Sequence, residues 1–151
     1  MIKRLPQKEF NKIYSKIPRL CVDIVIHTSD GFLLTKRSTP LSYDGYWHVP
    51  GGTVLFHESL VKAVKRIAKR ELNLKVAIIK LLGYEEVLYE ETIGGAHAVT
   101  LGFLVRVVSG KIKINNEASE YGFFKKLPPK LIPEHKKFLQ SITEKDLITH
   151  T

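Results

Sequence analysis

Residues 52–74 read GTVLFHESLVKAVKRIAKRELNL, and the second half of that stretch decides the fold class. From Ser59 to Leu72 there is no Gly or Pro, and good helix formers dominate. On a wheel turning about 100° per residue, Leu60, Val64, Ile67 and Glu71 share one narrow sector, flanked by Ala63 and Ala68. Lys62, Lys65, Arg66 and Lys69 occupy the opposite side. The spacing predicts an amphipathic helix over 59–72, stopped at Asn73. Glu71 does not suit the apolar stripe it belongs to, because burying an uncompensated carboxylate costs several kcal/mol. Either it reaches solvent or a lysine at the helix end, or it is protonated or coordinated to a metal.

Working outward, Tyr46-Trp47-His48-Val49 reads as a strand that stops at Pro50-Gly51-Gly52, a turn whose bare backbone can approach phosphates or a cation. Upstream, Phe10, Ile13 and Tyr14 repeat at helical spacing within Glu9–Lys16 before Pro18. Leu20–Ile26 is a branched apolar run, and Ser29-Asp30-Gly31 turns it into Phe32-Leu33-Leu34. A loop with Pro40, Asp44 and Gly45 follows. Downstream, strands are expected at 76–82, 86–89, 96–108, 111–114 and 121–124, broken by Gly83, Gly94-Gly95, Gly110 and Asn115-Asn116. Pro133 suits the first turn of a last helix carrying Phe138, Leu139 and Ile142. No repeat or linker interrupts residues 1–151. One α+β domain is predicted, a mixed β-sheet sandwiched between two or three helices.

At 151 residues the chain can bury one sizeable core. Its 24 Lys and Arg against 15 Asp and Glu give a formal charge of +9, which draws nucleotides, nucleic acids and anionic membranes alike. Cys21 has no second cysteine to pair with and reads as a core thiol. Charge and proline interrupt the first ten residues too often for a signal peptide, and no apolar run is long enough to span a membrane. A cytoplasmic protein without membrane contact is expected. His48 and His57 lack zinc-site spacing, and no zinc finger, basic zipper or aromatic ribonucleoprotein motif occurs, so direct nucleic-acid recognition is not expected. Tyr43, Tyr46 and Trp47 could stack on a base or pack inside, with Trp47 assigned to the core.

The stretch 52–74 resembles the Nudix box, G-x5-E-x7-R-E-U-x-E-E-x-G-U, where U is aliphatic. Gly52, Glu58, Arg66, Glu71 and Leu74 match it. Ile67, Arg70 and Asn73 stand where the pattern has Glu, Glu and Gly, and Ala68 replaces the aliphatic. The box is therefore degenerate, with its spacing intact. Within the superfamily the chain is most similar to GDP-mannose mannosyl hydrolases. That similarity includes Gln7-Lys8-Glu9-Phe10, Asp23, Lys36-Arg37, Gly45-Tyr46-Trp47, Leu101-Gly102-Phe103 and Tyr121.

The resemblance implies the Nudix fold with an N-terminal helical arm over 1–18. It implies magnesium, with manganese as a substitute, held by the Gly52 carbonyl, Glu71 and Glu117. Glu58 and Arg66 would shape the loop and helix. Asp23, Lys36 and Arg37 would lie on the substrate side, Arg37 neutralising the diphosphate. A homodimer is implied as well, with the chain's start in the subunit contact.

Three departures bear on the chemistry. The mannosyl hydrolases have an arginine where this chain has Thr53, a general-base histidine where it has Ala118, and a tyrosine where it has Ala98, leaving His97 as a displaced substitute. Attack on phosphorus is the alternative to attack on the sugar carbon. Glu117 then serves as base, unless it is a solvated loop acid. Arg70, aimed at magnesium from ~6 Å, would cost roughly 5 kcal/mol at an effective dielectric near 20. It is therefore expected to face solvent or a substrate phosphate. The leading expectation is a nucleotide-sugar hydrolase such as one acting on GDP-mannose. Alternatives are a nucleoside triphosphate or dinucleoside polyphosphate pyrophosphohydrolase, and a binding or regulatory module that has lost catalysis.

Overall fold

The computed structural model describes residues 3–38, 43–89 and 96–148; Pro40 and the Gly94-Gly95 pair lie outside them. In chain order the elements are α1 (Gln7–Tyr14), β1 (Arg19–Val25), β2 (His27–Thr28), β3 (Gly31–Arg37), β4 (Trp47–His48) and β5 (Gly51–Thr53). They continue with α2 (Leu60–Leu72), β6 (Lys75–Tyr89), β7 (Ala96–Ser109), β8 (Ala118–Phe124), α3 (Pro133–Ser141) and α4 (Glu144–Leu147). This is the α+β class, with sheets flanked by helices.

Helix α2 begins where Ser59 accepts a hydrogen bond from the Lys62 N–H and ends where Asn73 turns left-handed, at φ 58. Its stripe of Ala63, Val64, Ile67, Ala68 and Leu72 packs on Val22, Ile24, Phe103 and Val105. Burying each large side chain contributes roughly 1.5–3 kcal/mol. The sheet beneath has the order β5-β1-β7-β6 and is mixed: β1 runs parallel to β7, and the other pairs are antiparallel.

Strand side chains alternate between faces, which sorts β1. Val22 and Ile24 face α2, whereas Val25 belongs to a second core with Leu34, Val49, Leu104, Phe138 and Leu139, on the side of α3. Cys21 packs in a separate small cluster with Val87 and Ala98, and burial pushes its thiol pKa up, in keeping with a core thiol. Gly102 of β7 lies directly beneath α3. A Cβ on it would stand 2.3 Å from the Phe138 ring, so the ring sits on bare backbone.

A second, antiparallel sheet orders β2-β3-β4, with β8 on the other edge of β3. The chain leaving β1 passes straight into β2, so the two strands expected on either side of Ser29-Asp30-Gly31 divide between the sheets, and only β2 completes the hairpin with β3. Trp47 packs edge-on against Phe124 at 4.7 Å, within the second core. The Trp47 N–H donates to the Lys130 carbonyl and its carbonyl accepts from the Ile132 N–H, which fixes the approach to α3.

Three local expectations give way. Gly51-Gly52 is not a turn but most of β5, because glycine is needed there for close approach. A Cβ on Gly51 would lie 2.1 Å from Asp23 Oδ1 and 2.6 Å from the Val22 carbonyl oxygen. Residues 111–114 form no strand; Ile112 packs against the first core, while the Lys113 N–H bonds the Leu72 carbonyl. The stretches around Gly83 are one strand, in which irregular pairing absorbs the glycine. Among the described residues, no helix is long and apolar enough to cross a membrane.

Candidate functional site

Glu71 is the next-to-last residue of α2 and is buried. Burial pushes its carboxyl up to about 7, against the pull of Arg70 and of the Gly51 N–H that donates to it, with Glu117 adding repulsion. Glu117 precedes β8 in a loop held to the helix. The Asn115 amide donates to the Arg70 carbonyl at 3.4 Å, and the Glu117 N–H donates to Asn115 Oδ1 at 3.0 Å.

The two acids converge on one nitrogen. Arg70 Nη2 lies 3.1 Å from Glu71 Oε1 and 3.4 Å from Glu117 Oε2. This corrects the expectation that Arg70 turns to solvent. Two facing carboxylates outcompete water for a guanidinium, which is weakly hydrated and carries its donors in a fixed fork.

The loop ahead of α2 has its own brace. Arg66 donates through Nε to Glu58 Oε1 at 2.6 Å and through Nη2 to the Thr53 carbonyl at 2.9 Å, while Glu58 Oε2 accepts from the Leu55 N–H. Burial opposes ionisation of Glu58, but these bonds outweigh it and hold its carboxyl below the usual range. The pairing of β5 decides which backbone groups face the acids. The Ile24 N–H bonds Pro50 O and the Val54 N–H bonds Leu20 O, so by alternation the polar groups of Gly52 point at Val22. Those of Gly51 and Thr53 point to the free edge, where Glu71 and Arg66 meet them.

Across Gly51, on the α3 face, lies a second polar group that the sequence did not disclose. Asp23, Glu85 and His135 bring ligand atoms within 4.8 Å of one another. Among the described residues it is the one set of three or more His, Cys, Asp or Glu able to hold an ion. The Val49 N–H donates to His135 Nδ1 at 2.9 Å, which leaves the ring proton on Nε2, 3.8 Å from Glu85 Oε1. In this tautomer the ring offers a donor rather than a lone pair. Burial, then the Glu85 charge, push Asp23 well above the carboxylate range, and burial raises Glu85. One proton shared by this pair serves one bond; Asp23 Oδ2 and both Glu85 oxygens otherwise find no donor. His48 completes the surround, donating from Nδ1 to the Val49 carbonyl and accepting the Thr35 hydroxyl at Nε2. Burial lowers the pKa of His48 to about 3 and that of His135 to about 4, so both rings are neutral and clamp the Val49 peptide.

Not every residue picked from sequence joins these groups. Arg37 does, since its charge depresses both histidines and its neighbour Ser38 bonds the Glu117 carbonyl. Lys36 instead pairs with Glu120 at 3.6 Å and lies over Trp47. His97 is exposed, five positions before the Gly102 that neighbours Asp23, or ~16 Å along the strand. The Thr53 hydroxyl lies 3.9 Å from Cys21 Sγ, and Ala118 pairs with Arg37. His57 is exposed and stacks against Phe56. Glu85 and His135 were legible in principle: Glu85 shares a strand face with Val87, and His135 precedes Phe138 and Leu139 by three and four positions.

Comparison with known proteins follows the same lines. The model of the NUDIX domain matches residues 17–142. The low-salt glycan biosynthesis protein Agl8 of Haloferax volcanii is 31% identical over 143 residues, covering 92% of this chain and 91% of that protein. An ADP-ribose pyrophosphatase of Methanocaldococcus jannaschii is 31% identical over 124 residues, covering 82% and 72%. Among solved structures, a MutT NUDIX hydrolase from Burkholderia pseudomallei superposes with a TM-score of 0.69 at 26% identity, covering 84% of this chain and 99% of that one. The MutT protein of Methanosarcina mazei Go1 shares the fold with a TM-score of 0.70 at 22% identity, covering 82% and 91%. With the match spanning 17–142 and relatives similar over most of their own length, the chain belongs to the NUDIX domain family.

Proposed function

We propose that this protein is a divalent-metal-dependent hydrolase of a nucleoside-diphosphate-linked small molecule, with a nucleotide sugar such as GDP-mannose as its preferred substrate. The observation that carries the reading is the convergence of Glu71 and Glu117 on one cationic nitrogen beside the free edge of Gly51. That donor set suits a hard cation. Two carboxylates meet there, one of them held up near 7 by burial so that its ionised form needs a counter-charge. Glu71 and Glu117 would hold magnesium or manganese. The ladder favours the Gly51 carbonyl over that of Gly52 as the backbone ligand, a shift of one residue from the resemblance. When bound, the ion withdraws charge from the phosphates.

The chain's own residues supply the rest. Glu117 is half-exposed and can accept the proton of an attacking water, a role that Ala118 cannot fill. Arg37 neutralises the departing phosphate, and the Glu58–Arg66 brace fixes the loop against which the diphosphate lies. Asp23, Glu85 and His135 would lie toward the substrate on the other side of Gly51, where the unused oxygens of the two acids suit the hydroxyl or N–H donors of a sugar or base. With Glu117 as base, attack falls on phosphorus and GDP-mannose yields GMP and mannose 1-phosphate. The ADP-ribose pyrophosphatase among the relatives supports a second substrate of the same class, ADP-ribose.

The test is incubation with magnesium and each of these two substrates, read by phosphorus NMR, with Glu71→Gln as control. GMP and mannose 1-phosphate are expected. GDP as product would move attack to the sugar carbon, and turnover of ADP-ribose alone would change the substrate. No turnover of either, nor of a wider nucleotide panel, would leave a binding module.

A further inference from the structure

We propose that Arg70 is a tethered cation that competes with the divalent ion for Glu71 and Glu117 and passes to the substrate's phosphates when the ion arrives, so that metal and diphosphate load together. The inference rests on the assignment of these acids to the metal.

Position 70 is where the box has a carboxylate, so this chain has exchanged a metal-attracting charge for a metal-repelling one. The exchange is not idle, since one Arg70 nitrogen bridges both acids. The bridge is weaker than it could be. The contacts are 3.1 and 3.4 Å, both made by Nη2, and the buried Nε of the same guanidinium has no partner. A fork that spends one nitrogen on two carboxylates and leaves another unpaired is poised to take a better ligand. A phosphate offers the planar fork paired oxygens. The backbone beneath is anchored independently, because the Asn115 amide donates to the Arg70 carbonyl and Asn115 Oδ1 accepts from the Glu117 N–H. The side chain can therefore leave while the backbone that carries both acids stays in place. A divalent ion held by these acids would repel the guanidinium, and a bound diphosphate would give it somewhere to go. Free protein then holds metal weakly, and substrate analogue tightens it.

Manganese binding, followed by the loss of the free-ion paramagnetic resonance signal, tests this without turnover. Four proteins are compared, the wild type, Arg70→Gln, Arg70→Lys and Glu71→Gln, each with and without methylenediphosphonate. A dipositive ion about 5 Å from a guanidinium is disfavoured roughly tenfold even with the screening of bulk water. Arg70→Gln is therefore expected to bind manganese at least about tenfold more tightly than wild type. Arg70→Lys, which keeps the charge, stays near wild type. Methylenediphosphonate is expected to tighten binding by a similar factor in wild type and far less in Arg70→Gln. Equal or weaker binding by Arg70→Gln, with Glu71→Gln still abolishing it, would overturn the competition while leaving the metal assignment standing. An undiminished diphosphonate effect in Arg70→Gln would overturn the transfer to phosphate. Manganese binding unaffected by Glu71→Gln would remove the metal assignment and this inference with it.

Discussion

Replacing the buried acid of α2 should stabilise the metal-free protein, contrary to the usual outcome of changing a buried side chain. Glu71 ionises at about 7 in the fold, against 4.5 for a free glutamate, with burial as the largest cause. A carboxyl raised in this way leaves stability intact below pH 4.5 and removes it as pH climbs through 7. Each tenfold difference in the ionisation constant is worth about 1.4 kcal/mol, so by pH 8 the ionised acid costs the fold about 3 kcal/mol. Glu71→Gln keeps the shape and carries no charge to bury. The assay is urea unfolding of both proteins from pH 4 to pH 8 with a chelator present. The advantage of Glu71→Gln over wild type should grow by about 3 kcal/mol across that range, or roughly 6–12 °C in melting temperature for a domain of this size. Added magnesium at pH 8 should restore the wild type and leave the variant unmoved. A difference that does not change with pH would refute the reasoning, because it would mean that Glu71 is already compensated in the fold.

Arg66→Ala strands Glu58, whose side chain is only 4% exposed, and should cost about 3 kcal/mol; in Glu58→Gln the same change should cost clearly less, which a double-mutant cycle in urea measures. Gly51→Ala drives a methyl into Asp23 and the Val22 carbonyl, so a loss of about 1–3 kcal/mol is expected, along with weaker manganese binding because β5 must shift. His135 is held neutral with its pKa at about 4, so it contributes stability that is complete above about 6.5 and is lost as pH falls toward 4. His135→Asn keeps an acceptor for the Val49 N–H and should flatten that acid limb in melts recorded between pH 4 and pH 7.

The parts of this molecule that sequence disclosed are those governed by local periodicity. Helix α2 announced itself through Leu60, Val64 and Ile67, and the same wheel exposed Glu71 as an acid on an apolar face. Pro133 marked the start of α3. The misreadings share a cause, which is that one residue type serves two purposes. Glycine signals a turn because it tolerates unusual dihedrals, yet Gly51 is required because Asp23 crowds it from across a strand pair. Arg70 lies on the border of its wheel, and its direction is settled by Glu117, 47 positions away, which no local pattern contains. Glu85 and His135 each carried a faint signal, but their meeting depends on β6, β1 and α3 converging, a property of topology rather than spacing.

Gly51 stands as a partition one peptide thick. Its N–H faces the acid of one compartment, and its missing side chain makes room for the acid of the other. Neither compartment can be enlarged without trespass on its neighbour. Evolution or engineering that widens the Asp23 chamber for a bulkier ligand must move β5, and with it the edge that Glu71 meets. In this chain a change of substrate and a change in appetite for metal are therefore inherited together.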